Sequence, residues 1–241
     1  MAPSDRLIVA LDVPDLAAAA DLVRKLSGRV RIFKVGLELF HAAGPAVFAA
    51  LRDAGAERIF YDAKLHDIPN TVARTCRTIA HCGVFMTNVH AAGGTEMMQA
   101  AVKASKEAAQ EAGLPAPLIL AVTLLTSLTP LQLAVEMRVD CSAVDYVTYL
   151  TRFAQQSGCH GVVCSPQEIE AVRWAAGPDF LIVTPGVRPS WAEAGDQKRI
   201  TTPAQAVKLG ADYIVVGRPI TAAPDPAAAA ARIVEEIAAT S

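Results

Sequence analysis

The strongest constraint in this chain is a beat that recurs eight times: a short apolar run, a turn, then a stretch long enough for a helix. The runs are Leu7–Leu11, Arg31–Val35, Arg58–Tyr61, Val84–Val89, Leu118–Leu124, Gly161–Cys164, Phe180–Val183 and Tyr213–Val216. Strands separated by helices run parallel and connect through right-handed crossovers. Eight such units satisfy their edges by closing into a barrel; an open doubly wound sheet is the rival arrangement. Eight regular units within 241 residues favour closure, so the expectation is one α/β catalytic domain over 1–241, a single (β/α)8 TIM barrel.

Composition agrees with that reading. Hydrophobic residues make up 52% and charged residues 19%, enough for a large core and too apolar for disorder. A formal net charge of -2 gives no general affinity for nucleic acid or for an anionic membrane surface. No apolar run reaches the roughly 18 residues of a membrane span. The start, Met1-Ala2-Pro3-Ser4-Asp5-Arg6, enters a strand-like run at once and carries no signal-peptide pattern. Five scattered cysteines form no framework and read as buried, reduced groups, which points to the cytoplasm. No two-histidine-plus-carboxylate set has metal spacing, so no catalytic metal is expected. Three helix starts are legible: Ser165-Pro166-Gln167-Glu168, Thr202-Pro203-Ala204-Gln205, and Asp225-Pro226 ahead of Ala227–Ala239.

In such a barrel the chemistry sits at the C-terminal ends of the strands. The polar residues there are Asp12, Lys34, Asp62 with Lys64, His90, Thr126 with Ser127, and Gly217 with Arg218. Side chains two apart on a strand share a face, so Asp62 and Lys64 both point into the mouth. Asp67 follows in the loop, and Lys34 joins from the preceding strand. Buried ion pairs add little net stability after desolvation. Four such charges at the functional end therefore point to chemistry more than to scaffolding. Two glycine–arginine loops follow the last two strands, Thr184-Pro185-Gly186-Val187-Arg188-Pro189 and Val216-Gly217-Arg218-Pro219. That is where such barrels hold phosphate, with backbone N–H groups and a bidentate guanidinium. Ser190–Thr201 is long enough to serve as a lid. The remaining histidines and Trp174 and Trp191 read as packing, capping or lid residues.

Asp62-Ala63-Lys64-Leu65-His66-Asp67-Ile68-Pro69-Asn70-Thr71 closely resembles the signature of the orotidine 5′-phosphate decarboxylase family in its compact bacterial form. Leu11-Asp12, Phe33-Lys34-Val35-Gly36, Leu125-Thr126-Ser127, Gly195-Asp196-Gln197-Lys198-Arg199 and both glycine–arginine loops extend the resemblance over nearly the whole chain. It implies decarboxylation of orotidine 5′-monophosphate to UMP by a homodimer with shared active sites and no metal or organic cofactor. It further implies Lys64 as proton donor and Asp62 as its companion. Asp67, Ile68 and Thr71 would be supplied across the dimer interface, and Asp12 and Lys34 would contact the ribose hydroxyls. Thr126 and Ser127 would read the pyrimidine, and Arg188, Gln197, Gly217 and Arg218 would grip the phosphate. Two rivals stand beside it: a metal-dependent sugar-phosphate aldolase or decarboxylase on the same barrel, and a non-catalytic phosphonucleotide-binding protein.

Overall fold

A computed structural model describes residues 1–192 and 201–240. Its elements alternate along the chain: β1 (Leu7–Ala10), α1 (Leu16–Leu26), β2 (Ile32–Val35), α2 (Leu37–Ala43), α3 (Ala46–Asp53), β3 (Arg58–Leu65), α4 (Pro69–His81) and β4 (Met86–His90). There follow α5 (Thr95–Ala112), β5 (Leu118–Val122), α6 (Pro130–Val135), α7 (Ala143–Gln156), β6 (Gly161–Val163), α8 (Ile169–Ala176), β7 (Leu181–Thr184), α9 (Pro203–Leu209), β8 (Tyr213–Val216), α10 (Arg218–Thr221) and α11 (Pro226–Ala238). All eight strands pair in sequence order and in parallel, and β8 closes on β1 through Leu7↔Ile214, Ile8↔Val215 and Val9↔Val216. The expected barrel is thus the observed one, and the open sheet is excluded.

Strand side chains alternate between two cores, as a period of two requires. Ile8, Ala10, Ile32, Phe60, Met86, Leu120, Val183 and Val215 fill the barrel interior. Leu7, Val9, Phe33, Val35, Ile59, Ala121, Val162, Ile182 and Ile214 face outward onto the helices. On the outer shell, Ala19, Val23 and Leu26 of α1 and Ile233 and Ile237 of α11 are fully or nearly fully buried. No described helix is long and apolar enough to cross a membrane.

Local expectations fared unevenly. Thr202 caps α9 in a complete capping box with Gln205, and Asp225 caps α11, which begins at Pro226. Ser165 does not start a helix. Its hydroxyl accepts the Gln167 N–H within a turn, and α8 begins only at Ile169. β3 runs on to Leu65, four residues past its expected end. Cys76, Cys159 and Cys164 are buried, but Cys82 is half-buried and Cys141 exposed. Trp174 is 84% exposed, whereas Trp191 packs on the core and carries the Arg232 guanidinium over its ring at 4.3 Å.

The N-terminal end of the barrel is tied by Arg173. Its guanidinium donates to the carbonyls of Gly177, Phe180 and Gly210 at 2.7–2.8 Å and to Asp212 Oδ2 at 2.6 Å. Asp212 Oδ2 also accepts the Ile182 N–H at 2.9 Å, so one clasp joins α8, β7 and the approach to β8. Charge-assisted bonds of this kind are about twice as strong as neutral ones. Arg173→Ala should lower the stability by about 1–3 kcal/mol. A chain of this size loses roughly 2–4 °C of melting temperature per kcal/mol. Thermal unfolding checks this, and an unchanged midpoint would remove the clasp from the account.

Candidate active site

Counting by twos along the inner face carries each strand from apolar floor to polar mouth. Ile8 and Ala10 lead to Asp12, Ile32 to Lys34, Phe60 to Asp62, Met86 to Asn88, and Tyr213 and Val215 to Gly217. The mouth is a cavity of about 320 Å³, within the size range of small-ligand sites. Ala10, Phe60, Val122, Val163 and Val215 line it with apolar surface, and Asp12, Lys34, Asp62 and Lys64 line it with charge.

These four charges form one alternating chain. Lys34 Nζ lies 3.1 Å from Asp12 Oδ1 and 3.4 Å from Asp62 Oδ2, and Lys64 Nζ lies 2.8 Å from Asp62 Oδ1. The central members are the dry ones: the side chains of Lys34 and Asp62 are 10% and 12% exposed. Gly36 makes room for the pair beside it, since a Cβ there would sit 3.1 Å from Lys34 Nζ. Burial by itself would raise the Asp62 carboxyl. The Lys34 and Lys64 charges, with hydrogen bonds from Lys64 and Asn88, outweigh it and hold the group below the ordinary carboxylate range. Asp62 is therefore an anion at neutral pH, clamped between two ammonium groups.

Lys64 reaches this position through an irregular backbone. β3 pairs with β4 at Tyr61↔Thr87 and next at Leu65↔Val89, and Lys64 has φ 47°. A non-glycine residue in this left-handed region is strained by about 1–3 kcal/mol, and such strain gathers at functional sites. Asn88, fully buried, spans the irregularity: its Oδ1 accepts the Lys64 N–H and its Nδ2 donates to Asp62 Oδ1, both at 2.7 Å. The sequence reading missed Asn88. The signal was an amide on the inner face of β4, two residues before His90.

The opposite wall carries the glycine–arginine loops. Arg188 and Arg218 line the cavity with Gly186 and Gly217. Arg188 is 8% exposed, and its backbone N–H donates to the Thr201 carbonyl at 3.0 Å beside a parallel bridge between Val187 and Thr201. Gly217 caps α10, its carbonyl accepting from Ile220 and Thr221. Thr126 lines the same cavity, whereas Ser127 lines only an adjoining recess of about 650 Å³. Gln197, with the rest of Gly195-Asp196-Gln197-Lys198-Arg199, lies outside the described residues.

Asp67, Ile68 and Thr71 do not join this chain's own cluster, contrary to the expectation for Asp67 as a loop neighbour of Lys64. Asp67 is exposed and its Oδ1 accepts the Ile68 N–H at 2.7 Å; Ile68 is 66% exposed, and Thr71 is exposed at the start of α4. A proline at the first position of α4 ends this loop two residues after Asp67. His66 stacks on His90 at 5.3 Å. Burial, with the His66 and Lys64 charges, holds His90 below the ordinary imidazole range, so its ring is neutral at neutral pH. Among the described residues, no group of three or more His, Cys, Asp or Glu side chains gathers to hold a metal ion.

The arrangement can seat an anionic phosphate at one wall and hold a cation against a carboxylate at the other. The profile of the orotidine 5'-phosphate decarboxylase / HUMPS family matches residues 5–233. An orotidine 5'-phosphate decarboxylase of Moorella thermoacetica is 53% identical over 237 residues, 98% of this chain and 94% of that protein. One from Nostoc sp. is 48% identical over 234 residues, covering 97% and 98% respectively. The crystal structure of the Lactobacillus acidophilus orotidine 5'-phosphate decarboxylase superposes with a TM-score of 0.85 at 40% identity, covering 97% of this chain and 99% of that one.

A depressed carboxyl contributes stability above its unfolded value, about 4, and loses it as pH falls through the lower folded value. Asp62→Asn should therefore be less stable than the parent at neutral pH, by about 1–3 kcal/mol. The gap should close as pH drops below about 4. Paired melting curves across that range check it, and a gap that widens in acid would reverse the assignment.

Proposed function

This chain belongs to the orotidine 5'-phosphate decarboxylase family, and from that premise we propose that Lys64, seated against Asp62, is the acid of its reaction. The protein is a carboxy-lyase of pyrimidine biosynthesis that converts orotidine 5′-monophosphate to UMP and CO2. The names of the full-length relatives favour the first of the three readings left open by the sequence.

In the pose we infer, the phosphate lies between Arg188, Arg218 and the backbone at Gly217, and the family resemblance adds Gln197 as a further donor. Asp12 and Lys34 take the ribose hydroxyls. Thr126 at the cavity wall reads the pyrimidine, with Ser127 beside it in the adjoining recess, and the carboxylate on C6 comes up against Asp62. The C6–carboxylate bond then breaks, CO2 leaves neutral, and its bonding pair stays on C6 in the ring plane. No ring π orbital can take up those electrons. The Lys64 ammonium lies beside them, stabilises them as they form, and gives its proton to C6. Its amine regains a proton from solvent. The chain's own residues supply every step, so this reading needs no metal or organic cofactor.

Magnitudes show what else is needed. A charge pair at about 4 Å is worth roughly 4 kcal/mol at an effective dielectric near 20. Enzymes at the upper end lower barriers by about 20 kcal/mol. Preorganisation supplies part of the rest, because the ammonium is already fixed by Asp62 at 2.8 Å and need not reorganise. Remote binding supplies more. The phosphate grip holds the substrate carboxylate near Asp62, where like charges repel, and that repulsion vanishes as CO2 departs. The observation that carries this reading is the Lys64–Asp62 contact at the mouth of an apolar barrel.

The exposed outward face of Asp67, Ile68 and Thr71 supports the second part of the proposal. These residues complete the active site of a second copy, so the enzyme is a homodimer with shared sites. Five free cysteines fit the reducing cytoplasm as its place of work.

Purified, chelator-treated protein mixed with orotidine 5′-monophosphate should bleach the orotate absorbance. Lys64→Ala should lose turnover by at least about 10³-fold while still binding UMP, because the phosphate and ribose contacts remain. Turnover at the parental rate in that variant would overturn the role of Lys64. Mixing Lys64→Ala with Asp67→Ala subunits, each inactive alone, should restore part of the activity through dimers carrying one intact site. Verified mixed dimers without any recovery would rule out a shared site.

A further inference from the structure

Seating Lys64 as the acid raises the question of what holds its backbone in a conformation that lysine disfavours. Between the pairs Tyr61↔Thr87 and Leu65↔Val89, three residues of β3 (Asp62, Ala63 and Lys64) stand opposite Asn88 alone. The interrupted ladder leaves the Lys64 N–H without a strand partner, and a buried N–H needs one. Asn88 Oδ1 accepts it at 2.7 Å. Only the amide oxygen can accept from an N–H, so the amide NH2 must face the other way, toward Asp62. There it donates to Oδ1 at 2.7 Å, the same oxygen that receives Lys64 Nζ at 2.8 Å. Asn88 is 0% exposed and is not among the residues lining the cavity.

We propose that Asn88 is a positioning residue of the decarboxylation: one amide fixes both the backbone from which Lys64 projects and the rotamer of Asp62. The inference rests on the reading of Lys64 as the acid. Neither hydrogen bond reaches the substrate, so removing the amide acts on turnover and leaves nucleotide affinity to the phosphate and ribose contacts. A misplacement of about 1 Å in a catalytic group costs on the order of 10²-fold in rate.

An isosteric change gives the sharper test. In Asn88→Asp a carboxyl stands against the Asp62 carboxylate, and two carboxyls in such contact share one proton. While that proton is present, the new side chain both accepts from the Lys64 N–H and donates to Asp62, as the amide does. Once the proton leaves, two anions repel and Asp62 moves. The titratable groups around position 88 are Asp62 and Lys64 on β3, Lys34 on β2, and His90 on β4 itself with His66 stacked on it; β5 presents Leu120 there.

The experiment is steady-state kinetics of the parent, Asn88→Ala and Asn88→Asp on orotidine 5′-monophosphate, with folding followed by circular dichroism. Asn88→Ala should lose about 10²-fold in kcat with KM within about threefold. The kcat of Asn88→Asp, divided by that of the parent at each pH, should climb by at least about tenfold between pH ~8 and pH ~5.5. A parental kcat in Asn88→Ala overturns the proposal. So does a flat ratio for Asn88→Asp, or loss of fold in both variants, which would make the amide purely structural. A parent inactive on this substrate would instead strike the functional reading and is told apart by that control.

Discussion

Asp62 lies between Lys34 and Lys64, with Oδ2 3.4 Å from one ammonium and Oδ1 2.8 Å from the other, and the mouth of the barrel is organised around those contacts. A lone buried carboxylate would be driven toward its neutral form. Two flanking cations, and an amide donor from β4, reverse that preference and keep it charged. In return it keeps the Lys64 ammonium aimed inward, where the apolar floor of Phe60, Val122 and Val215 leaves its field weakly screened. Asp12 at the exposed end completes the alternation, so two anions and two cations meet with no excess charge to expel.

The barrel divides its labour between its two ends. At the N-terminal end Arg173 gathers four carbonyls and a carboxylate into a clasp, and its purpose is to hold strands together. At the C-terminal end the backbone itself is bent out of register so that Lys64 can project from a left-handed residue. Strain is tolerable there because Tyr61 below and Leu65 above are still paired to β4, and Asn88 satisfies the N–H between them. A rigid parallel barrel supplies the over-determination that such a conformation needs.

Local chemistry explains which parts of this were legible in advance. The eight strands were visible because each buried run is apolar and bounded by polar turns, and Thr202 and Asp225 were visible as caps because their partners lie three residues away. Asp62, Lys64 and Lys34 could be placed together because period-two alternation aims them at one mouth. Where the outcome depended on distant neighbours, the reading failed or fell short. Ser165 has the local features of a helix cap but caps a turn instead. Asp67, two residues before the proline that opens α4, is exposed and accepts the Ile68 N–H instead of meeting its own Lys64. Cys141 and Trp174 are apolar by type yet exposed by position.

The sequence by itself determined the fold class, the end of the barrel that carries the chemistry and the residue types available there, because hydrophobic period and motif spacing are properties of neighbouring residues along the chain. Only the tertiary structure decided that three residues of β3 oppose a single residue of β4, and that Asn88, 24 positions beyond Lys64, closes the gap. Strand register comes from pairing between segments, and a hydrogen bond across that pairing leaves no trace in the spacing of either one.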